Sequence, residues 1–287
     1  MKKTNGLRNI WYNHLSSEQR YFIRKMYYLP IDLKDKLTGK SHKYVPPRGY
    51  IYTGSPASGE KYYKQGQHQI RLMQNYIDLN SNDSVLDIGS GVGRSAMVLT
   101  ELLDKNSRYE GFDVVQKGVD WCNKKIKKDF PNFNFTYVPL FNDLYNKEKN
   151  DASQFIFPYQ AASFDKTFSF SVFTHMKMNE IEHYFTEMNR VMKPNGLSLH
   201  TFFLYDENDA ERISKLENFN FPVDRGNYKL MSDKVESANI AIHKEELHKM
   251  AERSGLEIVS IIDGFWKGPK KENSQNDYQD TVVFKKK

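Results

Sequence analysis

The sequence predicts an α/β protein: a seven-stranded, mostly parallel sheet with helices on both faces, preceded by a helical and loop extension. Three observations predict it. From residue 84 onward, apolar strand-like runs alternate with helix-like segments. A glycine-rich turn follows the first of these runs, and an acidic residue closes the second.

Along the chain, residues 7 to 29 carry Leu7, Ile10, Trp11, Leu15, Tyr21, Phe22, Ile23, Met26 and Tyr27 at the spacing of one or two short helices, with a capping-box pattern at 16 to 19. Residues 32 to 60 are rich in Lys, Gly and Pro, with turn signals at 46 to 49 and 54 to 56, and are expected to form a long loop. Helical spacing returns over 60 to 79 through Ile70, Met73, Tyr76 and Ile77. The expected organisation is therefore an extension over 1–79, on the lid or acceptor side, and a main domain over 80–287.

In that domain strands are expected at 84–88, 109–114, 133–138, 166–172, 197–203, 257–262 and 281–285. Asn179 with Glu182 three residues later marks a helix start, and Pro194-Asn195-Gly196 its end. A later helix, 244–254, should bury Leu247, Met250 and Ala251 and stop at Gly255. Residues 206–242 read as a polar insertion, either an acceptor-binding segment or a surface excursion whose aromatic residues cap the sheet.

Composition narrows the class. With 39% hydrophobic and 14% aromatic residues the chain should fold into a core. The net charge of +6 sets 42 basic against 36 acidic residues with no basic arm, so nucleic acid is disfavoured as a partner. Cys122 stands alone, which excludes an internal disulfide and a cysteine-based zinc cluster and fits a reducing compartment. The first residues lack the apolar stretch of a signal peptide, and no window nears the ~18 to 20 apolar residues of a membrane span. A cytoplasmic location is expected, and no metal site is expected.

The chemistry concentrates in Val85-Leu86-Asp87-Ile88-Gly89-Ser90-Gly91-Val92-Gly93-Arg94, a strand running into a glycine turn and then a helix. Glycines let the backbone bend and a ligand approach closely, while the amides of the helix start face that ligand. The GxGxG spacing differs from the GxGxxG of dinucleotide binders, so the ligand need not carry a pyrophosphate. Asp87 would repel phosphates but suits a cation. S-adenosylmethionine carries both an ammonium and a sulfonium, and is the expected cofactor. Gly89, Ser90, Gly91 and Gly93 form its candidate cradle, and Asp113, with Val114 beside it, is the candidate acceptor for the ribose hydroxyls.

These stretches resemble the class I S-adenosylmethionine-dependent methyltransferases, whose first motif matches VLDIGSGVG and whose second matches YEGFD. The resemblance spans about 84 to 287. It implies a Rossmann-like sheet whose last strand, here 278–284, enters antiparallel between the fifth and sixth. It also implies that adenine is held after the third strand. Many relatives place an Asp there, whereas this chain reads Pro139-Leu140-Phe141-Asn142-Asp143, which points to backbone groups around Leu140 and Phe141, or to Asn142 or Asp143. The segments 112–115, 121–122, 131–133, 171–175 and 279–280 are similar to methyltransferases found with bacterial surface-polysaccharide biosynthesis.

Methyl transfer needs the acceptor held in line with the S–CH3 bond, and an acceptor hydroxyl must also lose its proton. His175, at the expected C-terminal end of the fourth strand, is the candidate base; its alternative role is to fix the loop, with Ser171 meeting the cofactor through its backbone. The expected acceptor is a sugar or another small molecule. Ribose methylation of RNA, a non-catalytic cofactor-binding partner role, and nicotinamide oxidation remain as alternatives.

Overall fold

The computed structural model describes residues 15, 17–39, 42–51, 58–142, 148–217, 219–233, 235, 237–268 and 276–287. One twisted sheet organises them. Its parallel part follows the order β3 (Phe133–Tyr137), β2 (Arg108–Asp113), β1 (Ser84–Ile88), β4 (Phe164–Ser169) and β5 (Met192–Tyr205). Next to β5 lies β10 (Asp280–Lys286), antiparallel, and beyond it β9 (Leu256–Ile262). The last strand thus enters between the fifth and sixth strands of the main sheet, as expected.

The period-2 pattern of β1 divides the core. Leu86 and Ile88 join one apolar cluster, and Val85 joins the other. Over the Val85 face lie α2 (Gly59–Ile77), α3 (Arg94–Leu102) and α4 (Gln116–Cys122), contributing Tyr62, Met73, Ala96, Leu99 and Val119. Over the Leu86 face lie α5 (Met178–Val191) and α7 (Lys244–Arg253), contributing Ile181, Phe185, Met188, Leu247 and Met250.

Among the described residues there are ten strands where seven were expected. The additional three, β6 (Val223–Asp224), β7 (Tyr228–Leu230) and β8 (Ile240–His243), come from the insertion. β8 pairs parallel with the end of β5 through Phe203, Leu204 and Tyr205, and an antiparallel ribbon of β7 and β6 continues outward. Two to four residues are too few to show an alternating pattern, so these strands gave no signal of their own. A short helix, α6 (Ala210–Ile213), precedes them. Ile213 and Phe221 pack with Phe203, Tyr205 and Trp266 in a third apolar cluster, so part of the insertion caps the sheet.

Four boundaries also differ. The first described helix, α1 (Ser17–Leu37), runs through Pro30 and takes up residues expected to be loop. It continues because Arg24, Asp32 and Asp35 anchor it on both sides of the proline. β4 ends at Ser169, and Phe173–His175 form a single 3-10 turn. α5 starts at Met178, where the Lys177 amide donates to Glu180 Oε2. The Pro194-Asn195-Gly196 turn lies inside β5 as an irregularity, with Asn195 at φ 61°, because Met192 already pairs with Phe164. The expected helix residues 7 to 14 and the turn at 54 to 56 lie outside the described residues.

Candidate active site

At the C-terminal end of β1 the chain turns through Gly89, Gly91 and Gly93 at φ 78°, 58° and 74°, the left-handed region that L side chains avoid. The amides of Gly89 and Ser90 both donate to the Phe112 carbonyl, at 2.9 and 3.0 Å, tying the turn to β2. A Cβ on Gly89 would stand 2.4 Å from Val172 Cγ2, so the turn after β4 rests directly on the glycine.

Asp113 closes β2 beside this turn. Its Oδ2 accepts from the Gly91 amide at 2.8 Å, and its Oδ1 accepts from the Val115 amide at 2.8 Å. The acid is thereby oriented at the strand end by two backbone donors, with the half-buried Val114 between them. Asp87 occupies a different place. It is buried beneath the turn, and Tyr109 donates its hydroxyl to Asp87 Oδ2 at 2.7 Å. Burial pushes its carboxyl up to about 7; the Tyr109 hydroxyl opposes that rise and the neighbouring Asp113 adds to it. Ser90 Oγ is also buried, without a hydrogen-bond partner among the described residues.

After β3, the Leu140 amide donates to the Val138 carbonyl and the Phe141 amide to the Asn150 carbonyl. An adenine amino group donates, so acceptors there, backbone carbonyls and side-chain oxygens, are what can meet it. Leu140 is buried and Phe141 exposed, and Asn142 Nδ2 donates to the His175 carbonyl at 3.4 Å. Asp143 lies outside the described residues.

The turn after β4 brings Ser171 and His175 to the same end of the sheet. Ser171 is in the left-handed region at φ 60°. Its amide donates to Thr201 Oγ1 at 2.8 Å, and its hydroxyl donates to Gln279 Oε1 at 2.9 Å, so β5 and the start of β10 both hold it. His175 Nδ1 lies 2.8 Å from the Ser237 carbonyl in the insertion. A carbonyl only accepts, so Nδ1 carries the hydrogen, and in the neutral ring the lone pair sits on Nε2. His200, in β5, is fully buried beside Ser169 Oγ at 2.8 Å, and burial pulls it down to about 3. It stays a neutral core residue.

The partners Tyr109, Thr201, Ser237 and Gln279 were not found by sequence reasoning. The pairs Asp87–Tyr109, Ser171–Thr201, His175–Ser237 and Ser171–Gln279 are 22, 30, 62 and 108 residues apart. No local pattern connects such positions, although Tyr109 opens the YEGFD stretch, Thr201 lies in the expected fifth strand, Ser237 in the insertion and Gln279 beside the Asp280 that begins β10. Among the described residues, Glu207, His243 and Glu245 come within reach of a shared ion. His243 Nδ1 accepts from the Glu245 amide, however, which leaves the hydrogen on Nε2, 3.2 Å from Glu207 Oε1. That tautomer donates to the carboxylate instead of ligating.

The site's donor set fits S-adenosylmethionine. Left-handed glycines keep side chains off the turn amides, an oriented carboxylate can accept from vicinal hydroxyls, and Asp87 and Asp113 together favour a cation.

Comparison with known proteins agrees with that chemistry. Residues 86–199 match the family model described as "Methyltransferase domain". A phosphoethanolamine N-methyltransferase from Plasmodium falciparum is 26% identical over 152 residues, covering 53% of this chain and 51% of that protein. A protein-L-isoaspartate O-methyltransferase from Methanococcus aeolicus is 26% identical over 105 residues, covering 33% of this chain and 49% of that protein. The chain thus spans about half the length of the curated relatives it matches. In fold, it is similar to the crystal structure of the PH0226 protein from Pyrococcus horikoshii OT3, with TM-score 0.52 and 17% identity over 83% of this chain and 95% of that one. Among the described residues no helix is long and apolar enough to cross a membrane. Over residues 86–199 this chain carries a methyltransferase domain, whose cofactor is S-adenosylmethionine.

Proposed function

We propose that the chain transfers a methyl group to a hydroxyl oxygen of a sugar or similar small acceptor. The observation that carries this reading is the His175–Ser237 contact, which fixes an imidazole tautomer with its lone pair on Nε2 at the end of β4. Bound S-adenosylmethionine supplies an activated methyl group on a sulfonium. Asp113 would hold the ribose hydroxyls, and Gly89, Ser90, Gly91 and Gly93 would form the cofactor's cradle. Val114, Leu140 and Phe141 would line its adenosine side, and Ser171 would meet it through backbone. Asp87, buried and hydrogen-bonded to Tyr109, would add negative potential in its ionised form, which a bound cation would favour. His175 takes the acceptor's proton at Nε2.

Residues 1–79 and the insertion 206–242 form the acceptor side in this reading. Supporting that, the insertion supplies the carbonyl that orients His175, although its aromatic residues also cap the sheet. The sugar assignment rests on the segments that resemble polysaccharide-associated methyltransferases. The relatives named above act on an amine and on a protein carboxylate by their names, so they do not choose the acceptor atom. The test is incubation with methyl-labelled cofactor and fractionated cell extract, followed by mass spectrometry. A labelled O-methyl glycan or small hydroxylated product supports the reading, and label confined to nitrogen, protein or RNA overturns it.

A further inference from the structure

The helix α1 sits on the body by its polar side. Arg24 Nη2 donates to the Ile51 carbonyl at 2.6 Å, and Arg48 bridges Asp32 and Asp35 at 2.6 and 2.5 Å. Tyr21 receives the Lys117 ammonium over its ring at 4.8 Å, beside the first turn of α4. At 100° per residue these anchors occupy one side of the helix. The opposite side carries Phe22, Ile23, Met26, Leu29, Leu33 and Leu37, all exposed; Phe22 is 65% and Leu37 87% accessible. A helix docked on a globular body ordinarily turns its apolar stripe inward. Here it is turned outward.

The fringe of this stripe decides its occupant. Exposed Lys25 and Lys36 flank it on one edge and exposed Lys34 on the other. Both aspartates of α1 face the body and are taken by Arg48, and among the described residues none of the three lysines has an ion-pair partner. Two copies meeting through this stripe would bring lysines against lysines. An anionic bilayer surface accepts the apolar residues between its headgroups and the lysines at its phosphates.

We infer that the outward face of α1 is a docking surface for an anionic membrane, with the helix lying in the plane of the interface. Phe22, Met26, Leu29 and Leu33 enter the headgroup boundary, and Lys25, Lys34 and Lys36 engage lipid phosphates. This inference does not depend on the methyl-transfer reading, and its test needs no turnover.

The test is co-sedimentation of the full chain with vesicles of phosphatidylglycerol and phosphatidylcholine, and with phosphatidylcholine alone. Binding to the anionic vesicles is expected, weaker at raised salt. The triple variant Lys25→Gln/Lys34→Gln/Lys36→Gln should bind roughly 100-fold more weakly, at about fivefold per lysine. Phe22→Glu/Met26→Glu/Leu33→Glu should lose more than about tenfold while melting as the wild type does. Failure of the wild type to bind, equal binding to neutral vesicles, or undiminished binding by either variant overturns the inference. So does an apolar-face variant that instead dissociates a dimer in ultracentrifugation, which would make a second copy the occupant. A variant that melts several degrees lower would give that role to the chain's own first residues, and also overturns it.

Discussion

The amide of Gly91 donates to the carboxylate of Asp113 across 2.8 Å, joining the turn that leaves β1 to the acid that ends β2. The two sequence signals that suggested a nucleoside site are thus one hydrogen-bonded unit. A second backbone donor, Val115, fixes the other carboxylate oxygen, so the acid is held in place by the fold.

Gly89→Ala should destabilise the protein by about 2 to 4 kcal/mol, from left-handed backbone strain plus overpacking. The collision would be with Val172 Cγ2, at 2.4 Å from the new Cβ. A melting temperature lower by roughly 3 to 7 °C is expected by calorimetry. Adding Val172→Ala should restore the packing share of that loss and leave the backbone share.

For His175→Ala, cofactor affinity should stay within about twofold while kcat drops by about 100- to 10,000-fold, the usual range for a lost general base. Calorimetry and labelled-methyl turnover measure the two quantities separately. Normal turnover in this variant would reduce His175 to a residue that fixes its loop through Ser237.

Two buried groups set opposed pH dependences. Asp87 titrates near 7 in the folded chain but near ~3.9 when unfolded, so the stability its protonated form contributes is lost as pH rises between those values. His200 titrates near 3 when folded and near ~6.5 when unfolded, so its contribution is lost as pH falls through that window. Between about pH 4 and 6.5 the slopes cancel in part. Asp87→Asn should unmask the histidine slope, with urea-unfolding stability rising by up to about 1.4 kcal/mol per pH unit. An unchanged pH profile would place neither group in control.

At the start of β10, Asp280 is fully buried and accepts from the Leu204 amide, the Gly264 amide and Trp266 Nε1 at 2.7, 2.8 and 2.8 Å. Asp280→Ala leaves three buried donors unmet and should remove at least about 3 kcal/mol of stability. Denaturant titration checks the size, and a shift in Trp266 fluorescence locates the change.

The main sheet was legible because its signals are local. Alternation in residues 84 to 88 assigns Val85 and Leu86 to opposite faces, and the glycines after them need left-handed backbone that other residues resist. Glu110 to Asp113 marked the second strand end by the same logic. Illegible parts depended on distant partners. The insertion strands are too short for a period, and become strands only because the end of β5 offers an open edge to Ala241 and Ile242. The helical spacing is legible only to residue 29, yet the helix continues through Pro30 because Arg48 secures Asp32 and Asp35 beyond it. Asp87 has a buried partner, Tyr109 on the adjacent strand, that its place in the motif does not announce.

Calorimetric titration of S-adenosylmethionine into the wild-type chain and into Asp113→Ala tests the central claim most directly. Saturable binding by the wild type, weakened by roughly 30-fold or more in the variant, is the expected result, since hydrogen bonds to a charged group contribute about 1.5 to 3 kcal/mol each. No binding by the wild type, or equal affinity in both, would contradict the claim that the acid of β2 and the glycine turn of β1 together hold the cofactor.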